Sequence, residues 1–538
     1  MKSMLKYLIS ITIIGLVALP SCTDLEETLY SDITTQNYEY TQDNVVNLIG
    51  PLYENMRVMY GNPWNHWGVQ EITTDEIVQP ANASGWYDGG TFLRMSQHRW
   101  SSDQGHVNGQ WSRLWNGVIH ANRIIQTLEN DVSFDDEALK QAYIAEAKTA
   151  RAFYYWHLMD NYGDVPLVTK VTKEYPPKKS RSEIYQFVVD ELTASIPNLN
   201  ESSGEDMYGR FNKWAGKALL ANVYLNAEVY TGTPQWDKCL SQCNDIINST
   251  NYELEDVYDD VFGKHRLGSS EMILGVQFDE IRATQWILHK CSFHDGARPK
   301  YKMESQFWGA GSIKAVPQFI DSYDTTDKRL YDSWAMGLQL TPEGDTCRCV
   351  YEKEGEPLIF TKDMKDGEYT AENAGYRVAK FDLYQGIAAG GLTTTFPVFR
   401  YAGVLMMKAE CLLRTGSPGE AATIVSDVRE RAFDDPAKAT VSASDLQADS
   451  KYNFGYVENF EITDPGNTDA VEYGGMLDEL GWEFAQECHR RRDMIRFGTY
   501  TSKSWLSHQP NGDYRALFPL PEEVVNANPE LEQNPNYQ

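Results

Sequence analysis

Three times along this chain a long stretch with helical spacing of small and aromatic side chains meets a Gly/Pro turn and is followed by a second such stretch. Asp136 to Asn161 places Ala142, Ala145, Ala152, Tyr155 and Met159 on one face, and Gly163-Asp164-Val165-Pro166 stops it. Ser182 to Ile196 then repeats Ile184, Val188, Leu192 and Ile196 every four residues, ahead of Pro197. Lys213 to Tyr230 carries Trp214, Ala218, Ala221 and Tyr224 on one side. Gly232-Thr233-Pro234 separates it from Trp236 to Asn248. Tyr401 to Arg414, Gly416-Ser417-Pro418-Gly419 and Glu420 to Ala432 make the third unit. A helix that is apolar along one stripe must bury that stripe, and small residues at the contact let a neighbouring helix approach. The pattern therefore predicts a mainly α fold in which helical pairs stack in series.

Units of this kind resemble tetratricopeptide repeats, and their superhelix is the expected frame. Two stretches fall outside it, residues 60–110 and 250–400, both irregular and the second rich in Gly, Asp, Thr and aromatics. Runs such as Met272 to Phe278 and Pro397 to Phe399 read as short strands. Long irregular segments on a rigid frame are where binding surfaces sit. The expected organisation is a signal peptide over 1–21, a helical region over 22–250 containing the 60–110 loop, and a second region over 251–538 with its loop-rich part first.

Lys2 and Lys6 precede the apolar stretch Tyr7 to Leu19, which ends in Pro20-Ser21-Cys22. That is a secretory signal peptide, too short to span a bilayer as a helix. Leu19, Ser21 and Cys22 resemble the bacterial lipobox, whose cysteine takes lipid on its sulfur and becomes the mature N-terminus. The acidic run Asp24 to Glu27 resembles the surface-export signal of Bacteroidota lipoproteins, so the expected place is the outer leaflet of the outer membrane, facing the medium. The formal charge of −29 excludes a nucleic-acid binder, which needs a basic stripe to displace counterions. Seven cysteines follow Cys22, namely Cys239, Cys243, Cys291, Cys347, Cys349, Cys411 and Cys488. Their number is odd and their spacing fits no zinc site, so no metal or other cofactor is expected.

Several stretches spread over the whole chain resemble the SusD/RagB family of outer-membrane nutrient-binding lipoproteins. They are Ala145 to Val168 with its Tyr-Gly-Asp-Val-Pro turn, Arg400 to Glu410, Val428 to Ala432, Glu487 to Gly498 with its arginine run, and Leu517 to Tyr537. The resemblance implies a tetratricopeptide-like side resting on a TonB-dependent SusC-type barrel and an opposite, loop-built face that captures glycan. Most of these motifs are then structural. Arg490, Arg491 and Arg492 are expected in ion pairs rather than in an anion site.

Sugar rings have apolar C–H faces, against which a Trp buries a large area at low entropy cost, while Asp, Asn, Gln and Arg meet the hydroxyls. Tryptophans in irregular segments with polar neighbours are therefore the candidates: Trp86, Trp286 and Trp308. The family resemblance points to the same three segments. Trp64 and Trp67 are secondary candidates, and Asp88 and Arg298 are the expected hydroxyl contacts. Trp111, Trp115, Trp156, Trp214, Trp236 and Trp482 sit in helical patterns and read as core. Three broad rings suggest a flat platform and an extended β-linked plant glucan such as xyloglucan. The alternatives are host glycans or peptides on the same fold, or a secreted glycoside hydrolase, which would need two facing carboxylates. Asp279-Glu280 and Asp75-Glu76 are the acidic pairs nearest that description, but neither sits in a recognisable catalytic frame. The expectation is a non-catalytic binder.

Overall fold

A computed structural model describes residues 40–42, 44–263, 269–279, 281–304, 306–381 and 392–537. The signal segment 1–21 and Cys22 lie outside these residues, as does Glu280. The helical frame comprises α1 (Val46–Tyr60), α2 (Gly105–Asn130), α3 (Glu137–Tyr162), α4 (Arg181–Ser195), α5 (Lys213–Leu225), α6 (Trp236–Ser249), α7 (Tyr401–Arg414) and α8 (Pro418–Arg429). From α2 onward each packs against the next, so the three units read from the sequence join into one tetratricopeptide-like arc. No described helix is long and apolar enough to cross a membrane.

Local chemistry sets the helix ends. Asp136 caps α3 by accepting from the Ala138 and Leu139 amides, and Gly163 at φ 73° ends it with its amide on the Met159 carbonyl. Ser180 and Glu183 form a reciprocal capping box at α4. Asn212 caps α5 through the Ala215 amide at 2.8 Å. That helix ends at Leu225 and a short turn of helix follows over Ala227–Thr231, so the predicted single helix to Tyr230 is two. Trp111, Trp156 and Trp482 are buried as read, and Trp115, Trp214 and Trp236 lie half-buried against the core.

Between α6 and α7 the chain leaves the arc. Strands β1 (Met272–Phe278) and β2 (Thr394–Arg400) pair antiparallel, Phe278 opposite Thr394 and Met272 opposite Arg400, and close the excursion at its neck. Both strands are buried almost throughout, which explains their continuous apolar runs. At the inner end of the neck Arg400 bonds Glu487 at 2.8 Å, Glu483 at 2.8 Å and Glu271 at 3.2 Å, all of them at most 2% exposed. Arg431 and Arg329 join the same carboxylates. Removing one partner from such a buried network leaves an uncompensated charge and costs about 3–5 kcal/mol.

Two further helices follow, α9 (Gly474–Phe484) and α10 (Arg490–Arg496), and the arginine run opens the second. Arg490 grips Asp75 through two bonds of 2.7 and 2.8 Å, Arg491 reaches Asp160 at 3.2 Å, and Arg492 lies over the Trp156 ring. The run is structural, as expected, although its acidic partners Asp75 and Asp160 come from distant segments rather than from its own helix. Asp75 is thereby unavailable for acid–base chemistry: it is fully buried and both its oxygens accept from Arg490.

Candidate functional site

The 60–110 loop builds the first wall. Asn82 folds the chain back on itself, its amide donating to the Trp86 carbonyl at 3.2 Å and its side-chain oxygen accepting from the Ser84 amide at 3.0 Å. Trp86 emerges half-buried from this turn, followed by an exposed Tyr87. Asp88, Gly89 and Gly90 then adopt positive φ of 48°, 61° and 72°. Gly90 suits its position because its φ lies in the left-handed region that favours glycine, and the Tyr87 hydroxyl packs where a side chain would be. Phe92, 1% exposed, anchors the wall from below. Its ring meets Trp86 at 5.5 Å and Trp64 at 5.7 Å.

The excursion supplies the second wall. Trp308 stands 43% exposed, its amide tied to the Lys290 carbonyl at 2.7 Å. Its ring meets that of Trp64 at 5.5 Å with an interplanar angle of 60°. Gly309, at φ 76°, lets this loop close against the 82–86 turn, because a Cβ there would collide with Ser84. The two walls thus join in one strip, Trp308, Trp64, Phe92 and Trp86. Asp88 lies beside it, exposed, with the Trp64 indole N–H directed at its carboxylate over 3.4 Å. Arg298 is half-buried and paired with Asp295 at 3.0 Å. The Asp295 amide in turn donates to the Gly309 carbonyl, which ties the pair to the Trp308 loop.

Trp286 does not belong to this strip, contrary to expectation. It is 1% exposed and packed edge-on against Phe278 at 5.0 Å and Phe381 at 4.7 Å, within the core behind the neck. Its polar sequence neighbours suggested exposure, but the aromatic rings that bury it arrive from distant segments. Trp67, a secondary candidate, is likewise fully buried, its indole N–H on the Gln486 carbonyl at 3.0 Å. Trp64, the other secondary candidate, lies in the strip between Trp308 and Phe92.

Three side chains at this face escaped the sequence reading. Tyr369 is brought in by a parallel bridge that sets it opposite Ala81. It is 51% exposed and its hydroxyl donates to the exposed Glu352. The neighbouring Tyr351 hydroxyl lies close to where a side chain on Gly309 would be. The 350–353 turn is held by Glu372, whose carboxylate accepts from the amides of Val350 at 3.0 Å, Tyr351 at 2.9 Å and Lys353. Burial pushes the Glu372 pKa up, but these donors and His294 outweigh it and hold the group below its ordinary value. Burial, then Arg377, lowers His294 to about 4, so its ring is neutral at neutral pH. Nε2–H donates to Glu372 at 3.1 Å while Nδ1 accepts from the Gly296 amide at 2.8 Å. Nothing local in the sequence marks Tyr351, Glu352 or Tyr369, since each is placed by a pairing across tens or hundreds of residues.

The result is a shallow face of exposed or half-exposed rings, edged by the acceptors Asp88 and Glu352. Such a face suits a neutral molecule with apolar ring faces and outward hydroxyls. Among the described residues no group of three His, Cys, Asp or Glu side chains is placed to hold a metal ion. Asp279 of the other acidic pair turns its carboxylate inward on its own loop, accepting from the amides of Ile281 at 2.9 Å and Arg282 at 2.7 Å.

Comparison with known proteins agrees with these features at the level of the whole chain. A family model described as SusD family matches residues 274–537, and one described as starch-binding associating with outer membrane matches residues 25–225. The starch-binding protein SusD of Bacteroides thetaiotaomicron is 23% identical over 87% of this chain and 84% of its own length. A SusD-like protein of Formosa agariphila is 25% identical over 79% of this chain and 78% of its own. Among solved structures, surface glycan-binding protein A from Bacteroides thetaiotaomicron in complex with laminarihexaose superposes with a TM-score of 0.69. It is 16% identical and the match covers 92% of this chain and all of that one.

Proposed function

The chain belongs to the SusD/RagB family, and from that membership we propose that it is a non-catalytic, lipid-anchored protein of the outer cell surface that captures glycan. In this reading the strip Trp308, Trp64 and Trp86 stacks on sugar rings while Asp88, Glu352 and Arg298 take hydroxyls. The helical arc serves a TonB-dependent SusC-type barrel that receives the captured chain, and lipid on Cys22 holds the protein at the membrane. The observation that carries the reading is the run of ring contacts from Trp308 through Trp64 and the buried Phe92 to Trp86, which joins two loops far apart in sequence.

The expected flat platform is replaced by a stepped one, because Trp286 is absent from it and the rings of Trp64 and Trp308 meet at 60°. A stepped surface fits a chain that bends from one sugar to the next. We therefore place a bent β-glucan of the laminarin type ahead of the flat xyloglucan backbone. The solved relative that holds laminarihexaose supports that order. The test is calorimetry of the full chain against laminarihexaose, a xyloglucan oligosaccharide, maltohexaose, mucin glycans and a peptide pool. Binding is expected for a neutral glucan, with laminarihexaose tightest. Binding of peptides or mucin glycans with no neutral glucan bound refutes the reading, and hydrolysis of any of these by the purified protein refutes its non-catalytic part.

A further inference from the structure

Away from the tryptophan strip, a four-residue hairpin turn carries a residue that its own backbone disfavours. The strands Gly455–Glu458 and Glu461–Asp464 pair antiparallel and are joined through Asn459 at φ 50° and Phe460 at φ 70°. Asn tolerates that left-handed conformation, but a bulky aromatic side chain there is strained. Phe460 gains no burial in return, since it is 63% exposed. A strained and solvent-exposed aromatic residue stabilises neither the fold nor the turn, so the reason for it lies outside the folded chain.

The position of the tip says what that reason is. The Phe460 amide donates to the Lys365 carbonyl at 2.9 Å, which docks the hairpin on the 365–370 segment. Tyr369, at the binding face, is four residues further along that segment, at most about 14 Å of chain away. Tyr456 of the same hairpin lies half-exposed. Its place on the hairpin is opposite Asp464 in the same ladder whose tip is Phe460. Two exposed rings, Tyr369 and Phe460, therefore stand at the two ends of the 365–369 stretch, whose Tyr369 end is bridged to Ala81 beside the Trp86 turn.

We propose that the hairpin tip, Phe460 with Tyr456, is a distal stacking subsite for the same glycan chain, engaged only by chains long enough to extend past Tyr369. The proposal rests on glycan capture at the tryptophan strip. The experiment measures affinity against chain length for a laminarin oligosaccharide series on the full protein and on Phe460→Asn, a variant that suits the turn. Parent affinity is expected to keep rising with length. Phe460→Asn is expected to melt no lower than the parent, to bind the trisaccharide unchanged, and to bind the longest members about three- to tenfold more weakly. Equal binding of every length by parent and variant overturns the distal subsite while leaving the strip intact. Parent affinity that stops rising at the trisaccharide overturns it as well. Failure of the parent to bind any member overturns the capture of this glucan together with the subsite.

Discussion

Truncation of Trp308 separates a binding ring from a structural one. A tryptophan side chain offers up to about 250 Å², and the 43% exposure of Trp308 leaves on the order of 100 Å² of it in water. At about 25 cal/mol per Å² the ceiling on what a covering ligand gains there is about 2.5 kcal/mol. A sugar covers one face of the indole, which brings the expected loss for Trp308→Ala to about 1.3 kcal/mol, or tenfold in Kd. The cost to the fold is intermediate, about 1–3 kcal/mol, because somewhat more than half of the side chain is buried, its contact with Trp64 included. Trp286→Ala is the control with the opposite signature. That ring is enclosed by Phe278 and Phe381, and its removal is expected to cost about 3–5 kcal/mol of stability. Calorimetry with the glycan that binds the parent, beside thermal melts of both variants, reads the two effects independently. The assignment fails if Trp308→Ala binds like the parent, or if Trp286→Ala melts like the parent but loses glycan.

Asp75→Ala strands the Arg490 guanidinium in the core and is expected to lower the unfolding free energy in urea by about 3–5 kcal/mol, with no effect on affinity for the folded protein. Burial raises Asp478 to about 7, although Ser450 and the Lys451 amide donate to it. Its contribution to stability is therefore fully present below the ordinary value of 3.8 and gone once pH has passed about 7. Asp478→Asn is expected to flatten the fall in melting temperature between pH 4 and 8. Glu483 works in the other direction. Burial would raise it, but Arg431, Arg400 and Arg329 hold it at about 2. Its contribution is present above its ordinary 4.5 and lost as pH falls through 2, so Glu483→Gln is expected to lose stability at neutral pH and to show a shallower acid transition. The seven described cysteines are all buried, unbridged thiols. None is expected to react with a maleimide in the native protein, and all seven are expected to react after unfolding, as mass spectrometry would read.

Legibility in the sequence followed the range of the interactions. Helices α3 to α8 of the frame were readable to within a few residues because their stripes, caps and stop signals are local, as with Ser180 and Glu183 at α4 or Gly163 after α3, whereas α1 and α2 were not read. Asn226 is the exception. It interrupts the third stretch without a glycine or proline to announce the break. At the candidate face the surface positions of Trp86, Trp308 and Asp88 were readable from their irregular, polar surroundings. Trp286 had the same surroundings and the opposite fate, because Phe381 and Phe278 close over it from other segments. Tyr369 and Tyr351 reach the face only through the bridge to Ala81 and the Glu372 carboxylate. No local pattern encodes either pairing. The ion pairs of Arg490 and Arg491 were foreseen in kind but not in partner, since Asp75 and Asp160 are more than three hundred residues away.

The pairing of β1 with β2 has a consequence for engineering. Because the excursion leaves and rejoins the frame through adjacent antiparallel strands, its two ends are fixed a single strand spacing apart whatever lies between them. Loop length beyond such a closure costs little, about 0.6 kcal/mol for each doubling. The segment between Phe278 and Thr394 is in effect a cartridge. A recognition surface from a related chain can be exchanged there with the arc intact, provided that the graft keeps both strands, Arg400, and the Arg329 and Lys380 that the excursion itself contributes to the buried charge network.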